Sequence, residues 1–188
     1  MKKIALLGVT VVLSMPALAA PETFVVDSNH TLPRFSYNHL GYSTQVGRFD
    51  KVTGKIVLDP VADSGSVDIT IDMKSIDTGD AKLNEHLQSP DFFDVAKYPV
   101  ATFKSTAVKF VRGDPAAVEG ELTINGITKP VTLTVTSFQH MMHPMLKKDA
   151  IGANATATVK RSEFNAGKYA PFVSDEVTLM IPVEAQQE

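Results

Sequence analysis

Apolar and polar residues alternate at every second position along most of this chain. Over residues 66–73 the alternation is unbroken: Val67, Ile69, Ile71 and Met73 fall on one side, and Ser66, Asp68, Thr70 and Asp72 on the other. A strand with one apolar and one polar face fits an antiparallel sheet that is buried on one side and wet on the other. The same period predicts strands over 23–27, 31–39, 46–59, 100–111, 117–125, 129–138, 151–160 and 176–183. Within them Phe35, Tyr37 and His39 share a side, as do Val52, Ile56 and Leu58. Asn125-Gly126 between two such runs marks a tight hairpin, and Asp59-Pro60 with the polar residues 63–66 supplies another turn.

One stretch, residues 75–103, breaks the pattern. Thr78 or Asp80 can cap a helix there, Leu83 and Leu87 give it one apolar edge, and Pro90 stops it near Gln88 or Ser89. Two or three turns are too few to stand without tertiary contacts. Phe92 and Phe93 follow directly, so the segment reads as a lid with an aromatic latch. Eight or nine strands, mostly adjacent, with one short inserted helix predict an all-β, up-and-down antiparallel barrel, because closure removes exposed edges. A two-sheet sandwich is the alternative.

The strand over 151–160 bears on what fills such a barrel. Its inward face carries Ile151, Ala153, Ala155, Ala157 and Val159. Three consecutive alanines leave space, and the facing strands offer medium residues: Val131, Leu133 and Val135, or Val177, Leu179 and Ile181. An eight-stranded barrel is filled by side chains or holds one small ligand. The alanines favour a cavity, with Ile69, Ile71, Phe103, Leu133 and Leu179 as further wall. The competing reading is that Phe92, Phe93, Phe103 and Phe110 fill the gap.

Composition narrows the setting. The chain has 188 residues, 44% hydrophobic and 21% charged, which fits one globular domain. Residues 1–19 read as a secretory signal: Lys2 and Lys3, an apolar run, then Ala17-Leu18-Ala19 as a cleavage pattern. The apolar run is too short for a spanning helix. Domain 20–188 then carries 16 basic against 21 acidic residues, a formal charge of −5, which argues against nucleic acid and anionic membranes as partners. With no cysteine, its stability rests on its core alone. The expected compartment is the periplasm, without stable membrane insertion.

Several motifs carry a family likeness. They are Asp27 with His30, FSYNHLGYSTQVGRF (35–49), SIDTGDAKLNEHLQSPDFFDVAKYPVATFKST (75–106), GELTINGITKPVTL (120–133) and SDEVTLMIPVE (174–184). Through them the whole mature chain resembles the YceI-like family of periplasmic lipid-binding proteins. The resemblance implies a lipocalin-like, eight-stranded antiparallel barrel with one short inserted helix. It also implies a long apolar cavity for a polyisoprenoid, isoprenoid quinone or fatty-acid-like ligand, and no catalytic residues or cofactor. Three stretches depart from the family pattern: Pro33 in TLPRF, which should bend its strand or set it at an edge, HMMHPM (140–145), and NAGKYAPF (165–172).

The candidate ligand-binding set is therefore Phe35, Tyr37, His39, Ile69, Ile71, Leu83, Asn84, His86, Leu87, Phe92, Phe93, Phe103, Leu133, Ala153, Ala155, Ala157 and Leu179. In that set Tyr37, His39, Asn84 and His86 are the polar residues for a head group. No zinc motif or nucleophile elbow is present. His140, Met142, His143 and Met145 offer imidazole and thioether, a set that suits Cu(I), and so make copper handling a competing function. Sequestration of amphiphilic toxic compounds under envelope stress is the second alternative. The oligomeric state is monomer or homodimer.

Overall fold

A hairpin broken twice starts the barrel. The computed structural model describes residues 20–188, so the expected signal peptide lies outside the described residues. The chain forms β1 (Glu22–Val26), β2 (Arg34–His39), β3 (Ser43–Phe49), β4 (Val52–Asp59), β5 (Ser64–Asp72) and β6 (Ile76–Asp77). After α1 (Ala81–Gln88) come β7 (Val100–Val111), β8 (Asp114–Ile124), β9 (Ile127–Met142), β10 (Asp149–Lys160) and β11 (Glu176–Gln187).

Strands β1, β4, β5, β7, β8, β9, β10 and β11 pair in succession, and β11 returns to β1. The eight close a ring, which is the expected barrel and not the sandwich. Strands β2, β3 and β6 extend it at one end: β2 pairs with β11 and β3, and β3 with β6. So β1 and β2 are two halves of one wall strand, and β3 and β4 are two halves of the next.

The breaks have physical causes. The strand expected from residue 31 starts at Arg34, because Thr31 turns inward. Its hydroxyl donates to the Glu184 carbonyl at 3.1 Å and accepts from the Glu184 amide at 3.0 Å, and Pro33 then bends the chain. The run expected over 46–59 is interrupted because the Asp50 and Lys51 amides leave the ladder for the carbonyl and hydroxyl of Ser75, both at 3.0 Å. Strand β9 continues past Phe138 to Met142, paired with Asp149–Gly152 of β10.

At the extended end the wall is incomplete. Strand β7 pairs with β5 and not with β6, so residues 78–99, with α1, occupy the gap. Asp80 caps α1, accepting from the amides of Lys82 at 2.8 Å and Leu83 at 3.2 Å. The helix ends at Gln88, ahead of Pro90. At the β8–β9 turn Asn125 and Gly126 both have positive φ, +52° and +70°, as a type I′ hairpin requires.

The buried residues form three separate clusters. Phe24, Val52, Ile56 and Ile151 lie in the first, Phe49, Met73, Ile76 and Val95 in the second, Phe103, Leu122, Leu133 and Phe164 in the third. A filled barrel gives one contiguous core; three clusters fit a hollow one. No helix among the described residues is long and apolar enough to cross a membrane.

Candidate ligand cavity

Inside the ring lies a cavity of about 820 Å³, lined from β2–β5, from β7–β11 and from α1. Small-molecule sites span roughly 300–1,000 Å³, so this one could take a sizeable ligand. Ile69, Ile71, Phe103, Leu133 and Leu179 line it, with Ala153 and Ala155. Ala155 is registered against Val135 on one side and Ile181 on the other, both wall residues too. The alanine face thus borders empty space. Phe92, Phe93 and Phe103 line the hollow without filling it, while Phe110 packs with the Phe24 cluster.

Two of the expected site residues stand elsewhere. Ala157 packs against the Phe103–Phe164 cluster, at a point where β10 has passed the end of its pairing with β9. The Asn84 side chain turns back on the loop, its Oδ1 accepting from the Thr78 amide at 2.9 Å and hydroxyl at 2.7 Å. It braces the start of α1 instead of reaching the cavity.

The helix side supplies Leu83, His86 and Leu87, with Phe92 and Phe93 from the loop after it. No residue of α1 is fully buried: its apolar edge, Leu83 and Leu87, lines the hollow, and Leu87 also packs against the Phe49 cluster. Aromatic rings run round this end: Phe35 lies 6.4 Å from Tyr37 and 5.8 Å from Phe49, and Phe49 lies 6.1 Å from Phe93. His86 lies 5.2 Å from Phe92, which lies 6.2 Å from Tyr169. His39 also lines the cavity and bridges to Val173.

Several residues here carry no periodic signal in the sequence. Arg161 lines the cavity and also straps the loop before β11. Its guanidinium donates to the carbonyls of Ser174 (2.8 Å), Ala166 (2.6 Å), Lys168 (2.7 Å) and Val173 (2.7 Å). Burial lowers the Arg161 pKa and raises that of the Tyr37 phenol, and the positive Arg161 partly offsets the latter. Phe164 is 1% exposed, and its carbonyl accepts from Asn125 Nδ2 at 2.9 Å. The same Nδ2 donates to the Phe92 carbonyl, so one side chain joins the hairpin turn, the aromatic latch and the segment after β10. The polar lining is His39, His86, Tyr37, Tyr169, Gln45 and the basic Arg34, Lys82, Arg161 and Lys168, with no carboxylate among the described residues.

The residues weighed for copper split between two environments. His140 lies edge-on to buried Phe24, 5.4 Å between ring centres. His143 Nδ1 accepts from the amides of Met145 and Leu146, both at 3.2 Å, within its own turn. Met142 and Met145 are 56% and 81% exposed.

Comparison with known proteins places this geometry in context. A family model described as the YceI-like domain matches residues 24–185. The chain is 40% identical over 195 residues to Protein YceI of Escherichia coli O157:H7, covering all of both chains. It is 39% identical over 175 residues to Protein YceI of Salmonella arizonae, covering 92% of this chain and 90% of the relative. Among solved structures it resembles Burkholderia cenocepacia BcnA, with a TM-score of 0.72 at 30% identity over 85% of this chain and 99% of that one. A polyisoprenoid binding domain from Saccharophagus degradans shares the fold, with a TM-score of 0.65 at 16% identity over 88% and 98% of the two chains.

Proposed function

The chain belongs to the YceI-like family, and from that premise and its hollow barrel we propose that it binds one long apolar molecule for transport or storage in the periplasm. The cavity carries the reading: a continuous apolar hollow walled by Ala153, Ala155, Ile71 and Leu179, with a helix whose apolar edge faces into it. The ligand class is a polyisoprenoid, an isoprenoid quinone or a fatty-acid-like chain. The S. degradans protein, a polyisoprenoid binding domain, is built on the same barrel. The reading is of a binding protein and not an enzyme.

Binding of this kind needs no reactive residue. Each CH₂ taken from water contributes about 0.8 kcal/mol, so ten give about 8 kcal/mol before the entropic costs of association. The chain threads along the alanine strand while a polar head stays near Tyr37, His39 and His86. Selection among chain lengths is weak, because an apolar pocket discriminates one methylene poorly. Native mass spectrometry of protein purified from cells, followed by organic extraction, tests the reading. A co-purified prenyl or acyl chain supports it; a protein that is always empty and takes up no prenyl quinone overturns it.

A further inference from the structure

At the end of the barrel away from α1, three inward-facing residues on three strands converge. They are Glu22 at the start of β1, His140 near the end of β9 and Asp149 at the start of β10. Their ligand atoms, one imidazole nitrogen and two carboxylate oxygens, all lie within 4.8 Å of one another. We propose that this set binds one divalent transition-metal ion of the zinc type, clasping β1 to the β9–β10 hairpin across the barrel floor.

One observation beyond the clustering supports it, and one distance within the cluster fits it. Glu22 Oε2 is buried and has no hydrogen-bond partner, and a buried carboxylate oxygen without a partner is costly. It faces His140 Nε2 at 3.6 Å, too far for a hydrogen bond. That spacing suits two ligands on one ion: with metal–ligand bonds of about 2.0–2.2 Å, neighbouring ligand atoms on a tetrahedron stand roughly 3.3–3.6 Å apart.

The donor set selects the ion class. One imidazole with two carboxylates is borderline-hard, which suits Zn²⁺ and its neighbours more than Cu(I). Half-exposed His140 leaves a route for the ion and a position for water. The His140 ring is already held by its edge contact with Phe24. The clasp would act where the ring closes through a short ladder, β1 meeting β11 at Phe24, Val25 and Val26.

The test uses residues 20–188 without a histidine tag, stripped with chelator and titrated with Zn²⁺ by calorimetry. One ion per chain in the micromolar range is expected, with Tm rising roughly 5–10 °C at a hundredfold excess over Kd. His140→Ala should abolish uptake. The near-isosteric Glu22→Gln and Asp149→Asn should each weaken it at least about tenfold, with circular dichroism reporting that they remain folded. His143→Ala should leave it unchanged. No uptake, uptake that survives Glu22→Gln and Asp149→Asn at full affinity, or uptake lost in His143→Ala would each overturn the proposal.

Discussion

The ring of Phe35 fills the space over Gly47: a β-carbon at residue 47 would stand 2.4 Å from its Cζ and 2.8 Å from its Cε1. The two residues are cross-strand partners in the β2–β3 ladder, so the missing side chain of one seats the aromatic ring of the other. Through Tyr37 and Phe49 that ring begins the aromatic row at the helix end of the cavity.

Gly47→Ala therefore displaces Phe35. The expected cost is about 1–3 kcal/mol, the usual range for overfilling a packed site. Phe35→Leu in the same chain should recover part of it, since the shorter side chain clears the new methyl. Urea denaturation of both single variants and the double variant measures the coupling. Strictly additive losses would show that ring and glycine act independently.

Ala155 and Ala157 look equivalent in the sequence but differ in the fold. Ala155 borders the cavity, so Ala155→Phe should fill it, lowering prenyl-quinone affinity at least about tenfold while changing stability by less than about 1.5 kcal/mol. Ala157 packs on the Phe164 cluster as Ala155 does but does not line the cavity, so Ala157→Phe has no hollow to enter and should cost about 1–3 kcal/mol by overpacking. Fluorescence binding and denaturation curves separate the two. Undiminished binding by Ala155→Phe would remove this strand from the ligand site.

That contrast shows where sequence reasoning reached and where it stopped. Alternation identified the faces of β5 and β10, and the alanines on β10 pointed to a hollow. The Pro33 bend was readable because proline lacks the ladder donor. The break at Asp50 was not: its amides are taken by Ser75, a long-range bond that leaves no mark on local periodicity. For the same reason Arg161 and Phe164, in the short irregular segment after β10, leave no mark on the pattern. Asn84 reads as a polar mouth residue, whereas its partner, Thr78, lies in the loop just before its own helix.

Asn125 is both a turn residue and a clamp. Asn125→Asp keeps its shape but replaces the donor amide with a carboxylate facing the carbonyls of Phe92 and Phe164. The expected loss is about 2–3 kcal/mol from unpaired buried groups. Asn125→Gly keeps the left-handed turn and also loses the clamp, so hydrogen exchange should quicken over residues 89–99 in both variants. Unchanged exchange there would mean that the latch is held by packing alone.

The Asp27–His30 contact, 2.8 Å between Oδ2 and Nδ1, gives a pH window. The hydrogen bond from His30, with the Asn29 amide, lowers the Asp27 pKa; the same bond, with the negative charge of Asp27, raises that of His30. Stability from Asp27 is present above the ordinary carboxylate value of about 3.9 and fades as pH falls through its lower folded pKa. Stability from His30 is complete below the ordinary imidazole value of about 6.5 and fades as pH rises through its higher folded pKa. The difference between the wild type and His30→Gln should therefore be largest between about pH 4 and 6.5. A difference that is flat from pH 4 to 9 would show that the pair contributes nothing as ions.

Arg161 holds the loop that carries Phe172 and the cavity-lining Tyr169. Four backbone carbonyls between Ala166 and Ser174 accept from one guanidinium, a geometry that a planar fork satisfies and a single ammonium does not. Arg161→Lys keeps the charge and strands at least one partly buried carbonyl. It should cost about 2–4 kcal/mol, since hydrogen bonds to charged groups contribute about 1.5–3 kcal/mol each. Because Arg161 also lines the cavity, the loosened loop should speed ligand release more than it slows uptake, and affinity is usually tuned through dissociation. Stopped-flow exchange of a fluorescent prenyl chain reads both rates. A dissociation rate unchanged in a destabilised Arg161→Lys would confine the residue to a structural role.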